Sequence, residues 1–332
     1  MLSGSLYESK SLILSLKTFN FTLSYKVLVP CTNVEYTGMA NKTRFQIAKK
    51  DIIAFFEAQP KRVFREKELE QLLAQQREGW RLASGTRVQD FVELMKAATP
   101  LRTVQVDMDP KPKTLYAWGE ATAFELANNL VPRAYLSHYT ALYLHDLTEQ
   151  IPKQLFVNQE QSPKKPGTLP ALTQEELDAA FARPQRLTQA QAHYGNYSFV
   201  QLHGQFTGRL GVVEQAHFAA GRVELTSIER TLVDVTVRPD YAGGVYQVAE
   251  VYQRAASRVS VNRLVGLLTK LRYRYPYHQA IGFYMEQAGN YKPAQLNLVR
   301  KLGTELDFYL THELNQPAAY DPTWRLYYPE GF

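Results

Sequence analysis

The stretch from Val223 to Arg254 constrains the local structure of this chain more tightly than any other. It reads Val-Glu-Leu-Thr-Ser-Ile-Glu-Arg-Thr-Leu-Val-Asp-Val-Thr-Val-Arg-Pro, then Asp-Tyr-Ala-Gly-Gly, then an apolar-periodic run. Residues 223–225 predict a short strand. Thr226, three residues before Glu229, predicts a capping box at a helix start. Ile228, Leu232 and Val235 then share one helix face. Arg230 and Asp234 are four apart and can meet on the helix surface, where an exposed pair is worth on the order of 0.2–0.5 kcal/mol. Arg238-Pro239 ends the helix, because proline disfavours helical geometry in the residue before it. Gly243-Gly244 frees the chain to turn. Val245, Val248, Ala249, Tyr252 and Ala256 make the next segment an amphipathic helix. Nothing in this unit is a catalytic motif.

The rest of the chain divides into three parts. Residues 1–38 are rich in Ser, Thr, Leu and Phe, with few charges and no helical period. They read as an atypical arm, or as a segment ahead of a true translation start at Met39. Residues 39–119 predict three helices and a hairpin. The helices lie near Phe45–Ala58, near Arg65–Trp80, and from a Thr86-x-x-Gln89 capping box onward. The hairpin strands are Thr103–Met108 and Leu115–Trp118, joined by Asp-Pro-Lys-Pro-Lys. That order is the order of a winged helix-turn-helix, whose third helix enters the major groove. Arg87, Gln89 and Lys96 would then face bases, and Arg102, Lys111 and Lys113 would reach phosphates. Asp90 and Glu93 on the same helix repel phosphate, so a winged helix used for protein contacts is the competing reading. Residues 120–332 predict a mixed α/β domain, which makes the whole chain α+β. Within it, residues 158–193 read as a polar, Pro-rich loop or insertion with a helix near Thr173–Ala182.

Charge is unevenly spread. The chain carries a net +6, but the excess sits in residues 39–119 and 251–332, with a mildly acidic stretch between. Residues 251–285 hold Arg254, Arg258, Arg263, Lys270, Arg272 and Arg274 and no acid, a candidate second basic surface for nucleic acid. Arg-Tyr-Arg-Tyr-Pro-Tyr-His at 272–278 interleaves base with aromatic, which suits phosphate contact and stacking or packing under a helix corner.

A single cysteine, Cys31, excludes an internal disulfide framework and a cysteine-based zinc site, in keeping with a reducing cytoplasm. The apolar run Leu12–Leu16 is far too short to span a bilayer. There is no Gly-x-x-x-x-Gly-Lys, Gly-x-Gly-x-x-Gly, His-Glu-x-x-His or Gly-x-Ser-x-Gly motif. A metal-dependent nuclease would need clustered acids beside a lysine, and no lysine occurs between Lys165 and Lys270. His138 and His145 read as packed or hydrogen-bonded histidines rather than as ligands. No enzyme activity, cofactor or metal is expected.

Tyr135-Leu-Ser-His-Tyr-Thr-Ala-Leu-Tyr-Leu-His-Asp-Leu-Thr148, followed by Ile-Pro-Lys-Gln-Leu-Phe-Val, resembles the AbiEi-type antitoxins of type IV toxin–antitoxin (abortive infection) systems. So does Leu225-Thr-Ser-Ile-Glu-Arg-Thr-Leu-Val-Asp234, with Arg238-Pro239 and Gly243-Gly244 behind it. The resemblance covers roughly Ile47 to Arg272, and the order of the parts also agrees. It implies a bacterial two-gene antiviral defence module. The antitoxin would repress its own operon by binding operator DNA through the winged helix. It would counteract a nucleotidyltransferase toxin through the C-terminal domain, without need of a stable complex. Glu229, Arg230 and Asp234 would be structural members of the family motif. The connection Arg77–Gly85 is longer than the family turn. The alternatives are a standalone winged-helix transcriptional regulator with a ligand- or protein-binding C-terminal domain, and a nuclease.

Overall fold

In a computed structural model, residues 42–163, 170–312 and 318–332 are described. The expectations for residues 1–38 fall outside them.

The first helix, α1 (Arg44–Ala58), starts where Thr43 and Gln46 cap each other, Thr43 Oγ1 accepting from Gln46 N and Gln46 Oε1 accepting from Thr43 N. Its buried residues Phe45, Ala48, Ile52 and Phe56 recur at helical spacing. β1 (Val63–Phe64) and α2 (Glu66–Gln76) follow. α2 stops four residues short of the expected Trp80. The connection after it is itself ordered: Arg77 donates to the carbonyls of Ser84 at 2.6 Å and Thr86 at 3.0 Å, and Trp80 stacks on Phe91 at 5.8 Å between centroids. α3 (Val88–Ala98) is flanked at its start by Arg87 in extended backbone, with no side-chain cap. The expected Thr86 cap does not form, because Thr86 closes a turn onto Ala83 and accepts from Arg77.

The hairpin is β2 (Leu101–Met108) and β3 (Lys113–Trp118), in register from Leu101 opposite Trp118 to Val106 opposite Lys113. β1 lies on the other edge of β3. α4 (Ala123–Asn128), β4 (Tyr135–Leu136), α5 (His138–Leu144), β5 (Gln154–Glu160), α6 (Gln174–Phe181), β6 (Gln191–Tyr194), β7 (Tyr197–Gly204), β8 (Val212–His217) and β9 (Gly221–Thr226) come next. Among the described residues, nine strands join in the order β1-β3-β2-β6-β7-β5-β4-β9-β8. β2 meets β6 at Asp107–His193 and Met108–Ala192, so one sheet crosses the expected boundary at residues 119–120. The hairpin takes part in two cores, with Leu101 and Trp118 in the first and Val106, Leu115 and Ala117 in the second. Phe56, Leu69, Phe91, Met95 and Trp118 belong to the N-terminal one. Leu126, Leu136, Leu155, Phe199 and Leu225 belong to the other, between the sheet and α4 and α5.

α7 (Ile228–Val237), a 3-10 turn (Pro239–Ala242), α8 (Val245–Ala255), α9 (Val261–Leu271), α10 (Tyr277–Gln287) and α11 (Pro293–Arg300) build a third core. A small sheet of β10 (Phe308–Tyr309), β12 (Leu326–Pro329) and β11 (Ala318–Asp321) closes it. Of the edge strands expected near 308–310 and 325–328, β10 is one, but β12 pairs in parallel with β10 and antiparallel with β11 at the centre of this sheet. α7 ends at Arg238-Pro239 as read from sequence, and Gly243 and Gly244 take φ of 88° and 92° in the turn to α8. The cap of α7 is shifted by one residue: Ser227, not Thr226, accepts from the Arg230 amide. Thr226 is still in β9, and its hydroxyl pairs with that of Thr231 at 2.8 Å.

The chain is therefore α+β, with a large mixed sheet. None of the described helices is long and apolar enough to cross a membrane.

Gly282 on α10 shows how closely the third core is filled. A Cβ there would sit 2.1 Å from the ring of Trp324, which is fully buried. Overfilling such a site costs about 1–3 kcal/mol. Gly282→Ala should lower the unfolding free energy measured in urea by that amount; an unchanged midpoint would mean that Trp324 has room to move.

Candidate functional site

The two sequence segments 135–148 and 225–244 come together at one cleft of about 480 Å³. α5 supplies His138. α7 and the 3-10 turn supply Arg230, Asp234, Val237, Arg238 and Tyr241. β5, β7 and the chain beyond β7 supply Asn158, Leu202, His203, Gly204 and Gln205, and Tyr273 closes the wall.

At its base is a buried ion pair. Arg230 Nε donates to Asp234 Oδ1 at 2.8 Å, with side chains only 5% and 6% exposed. The sequence treats this pair as a surface contact, but α7 is covered on all sides, so the pair lies in low-dielectric surroundings. Arg230 Nη1 also donates to the Leu210 carbonyl at 2.7 Å. Burial would lower the Arg230 pKa, but the adjacent carboxylate outweighs it and the net shift is upward, so the guanidinium stays charged. Next to Leu210, Gly211 has φ +76°, and a Cβ there would lie 2.8 Å from the Arg230 Cβ. Only glycine lets the backbone approach this closely. Asp234 Oδ2 is buried with no hydrogen-bond partner among the described residues.

His138 begins α5 with φ 49°, a left-handed conformation that non-glycine residues rarely adopt. Its Nδ1 bonds Ser137 Oγ at 2.9 Å, and Ser137, at the start of α5, makes no side-chain cap. Burial holds its imidazole down at about 4; Asp234 opposes that shift and Arg238 and Arg230 reinforce it. His138 is therefore neutral near pH 7. Its ring meets Tyr241 edge-on at 5.5 Å. His145, the other histidine of the segment, points elsewhere and bonds the Thr226 carbonyl at 2.7 Å.

Behind the cleft, Asn158 Nδ2 donates to Tyr135 Oη at 2.5 Å, and Asn158 Oδ1 accepts from Gly204 N at 3.0 Å. The Arg209 guanidinium lies over the Tyr135 ring, 5.4 Å from its centre. At the mouth, Gln185 donates to the Val237 carbonyl at 3.2 Å, Thr188 N to Tyr241 Oη at 2.9 Å and Arg238 to the Arg186 carbonyl at 2.9 Å. The polar segment 158–193 is thus not an idle insertion. Its start completes β5, α6 buries Leu177 and Phe181 in the third core, and residues 185–188 wall the cleft. No periodicity marks Arg186 and Thr188 in the sequence, because their partners lie about fifty residues away.

The six residues expected to bind DNA sit at the two ends of α3, in β2, in the hairpin turn and at the start of β3. Arg87 and Lys111 are exposed, and Lys113 is half-buried in β3. The others have acidic neighbours: Gln89 donates to Glu66 at 2.8 Å, Lys96 pairs with Glu93 at 2.9 Å and Arg102 with Glu120 at 2.8 Å.

The second basic surface also differs from the sequence reading. Arg254 meets Glu149 at 3.1 Å, Arg263 meets Glu229 at 2.7 Å and Arg274 meets Glu176 at 2.8 Å. Arg258 donates to the His145 carbonyl. The charges are unopposed along the chain but opposed in space, by acids from other elements. Lys270 and Arg272 have no such acid among the described residues. Glu229 is buried; it also accepts from the Ser260 amide at 3.1 Å, tying α7 to the start of α9. In the basic–aromatic stretch, Tyr273 lines the cleft, Tyr275 packs on Phe181 and Tyr277 is buried. Tyr275 and Tyr277 are packing residues.

No protein-family model matches this chain, and no curated protein matches it. Among solved structures, it is similar to the crystal structure of the RV2827C protein from Mycobacterium tuberculosis, with 14% identity and a TM-score of 0.47, over 85% of this chain and 91% of that one.

Removing one member of a buried pair leaves a charge without a partner, at about 3–5 kcal/mol, whereas replacing both by apolar groups can be nearly neutral. Arg230→Met and Asp234→Leu should each lose stability on that scale in urea melts, and the double variant should lose less than their sum. Strict additivity would mean the pair is not coupled.

His138 also predicts a pH dependence. The unfolded histidine takes up a proton near pH 6.5, while the native one resists down to about 4. Stability is therefore unaffected above pH 6.5 and falls between 6.5 and 4, by roughly 3 kcal/mol in all. His138→Asn, which tolerates the left-handed backbone, should flatten that part of the stability–pH curve. An unchanged slope would place the proton uptake elsewhere.

Proposed function

We propose that this chain is the antitoxin of a bacterial type IV toxin–antitoxin phage-defence module. The observation that carries the reading is the convergence of the two AbiEi-like segments on one cleft. His138 comes from the first, and Arg230, Asp234, Arg238 and Tyr241 come from the second. The residues of the resemblance are thus neighbours in space as well as in order. In this reading the N-terminal helices and hairpin bind operator DNA and repress the operon, with Arg87, Lys111 and Lys113 as the cations best placed to reach phosphate. The C-terminal domain counteracts the nucleotidyltransferase toxin.

The cleft itself favours a second reading, a transcriptional regulator whose C-terminal domain senses a ligand. A volume of about 480 Å³ lies within the range of small-molecule sites.

Growth separates the two. Under the antitoxin reading, expressing this chain restores growth to cells expressing a nucleotidyltransferase encoded beside it. No rescue would leave the regulator. DNA binding is measured separately, by gel shift with DNA from upstream of the gene against scrambled DNA. Lys111→Ala with Lys113→Ala should weaken binding to both DNAs and reduce the salt slope by about 1–2. Equal affinity for native and scrambled DNA would remove the autorepressor role.

A further inference from the structure

The cleft holds three chemical features that contacts among the described residues leave wholly or partly unsatisfied. Asp234 Oδ2 is an acceptor on a side chain 6% exposed, and it has no donor. An ionised carboxylate oxygen buried in that way costs free energy until an N–H or O–H reaches it. Arg238 and Arg186 stand at the mouth without an acid within 4.0 Å among the described residues. With Arg230 set against Asp234, they leave the cleft with two uncompensated guanidinium groups, donors shaped for a phosphate. Tyr241 and Tyr273 offer aromatic surface in the same wall.

A ligand that satisfies all three has an anionic end, a flat body and a hydrogen-bond donor. Inorganic phosphate would fill only a small part of about 480 Å³. An apolar molecule would leave Asp234 Oδ2 and the arginines unsatisfied. We propose that this cleft binds a nucleoside monophosphate, its phosphate on Arg186 and Arg238 and a base or ribose donor on Asp234 Oδ2. The aromatic faces suit a base because stacking tolerates any base identity. Gln161 and Gln205, which also line the cleft, supply polar edges for orientation. The site rests on the geometry of the cleft and holds whether the chain is an antitoxin or a regulator, since ligand binding is read independently of growth rescue and of DNA shift.

The test is equilibrium dialysis or calorimetry on the full chain with AMP, GMP, CMP and UMP, beside adenosine, guanosine and inorganic phosphate. At least one monophosphate should bind saturably at one per chain, more tightly than its nucleoside and than phosphate. Arg186→Gln is the variant that leaves the interior untouched, because this exposed side chain makes no hydrogen bond or ion pair among the described residues. With Arg238→Gln, it should weaken the nucleotide roughly tenfold or more and leave the nucleoside unchanged. Asp234→Asn disturbs the buried pair, so its effect is read only if its thermal melt matches the parent; weaker binding of nucleotide and nucleoside alike is then expected. Failure of all four monophosphates to saturate overturns the proposal. So does phosphate binding as tightly as the nucleotides, which would make the cleft a simple anion site. Unchanged affinity in a folded double arginine variant would overturn it as well.

Discussion

The Arg230–Asp234 ion pair is the interaction on which the C-terminal half depends. It lies inside a helix buried on every side, at the meeting point of three cores of contact: α5 on one flank, α9 and α10 on another, and the strand ends that carry Leu210 and Gly211. Two charges in such a place are tolerated only when each has a partner. Arg230 has Asp234 and the Leu210 carbonyl. Asp234 has Arg230 on one oxygen and, among the described residues, no partner on the other. That asymmetry separates this pair from an ordinary structural bridge, because Asp234 is also one of the residues that line the cleft.

Around the pair, polar residues brace one another rather than the solvent. Glu229 ties α7 to α9 through Ser260 and Arg263. Glu160 accepts from Thr207 and from the Arg209 amide, and Arg209 in turn covers Tyr135. Asn158 holds both Tyr135 and Gly204. A network of this kind defines the shape of the cleft more sharply than apolar packing would, since each group has directional demands.

In the N-terminal half, electrostatics are local and weak by comparison. Lys96–Glu93 and Arg102–Glu120 are exposed pairs, which contribute about 0–1 kcal/mol each. Packing dominates there, through Phe56 stacked on Trp118 and Trp80 on Phe91. The same hairpin that ends this core lends β2 to the large sheet and sends Val106, Leu115 and Ala117 into the next core, so the two halves share both backbone hydrogen bonds and apolar packing.

Local chemistry along the chain was enough to determine most elements: the periodicity of Ala48, Ile52 and Phe56, the stop at Arg238-Pro239, the turn at Gly243-Gly244 and the placement of Arg230 one helical turn from Asp234. These depend on neighbours within a few residues, which sequence spacing reports directly. It did not determine where two caps would fall. Thr86 and Thr226 each have the right spacing, yet each is occupied by a turn or a strand, and the helix begins one residue later. Nor did it disclose that the Arg230–Asp234 pair is buried, that Arg254, Arg263 and Arg274 find acids, or that residues 185–188 wall a cleft. Those facts depend on partners tens to more than a hundred residues away. Burial and opposing charge are properties of the packed chain, and only the tertiary structure brings their partners together.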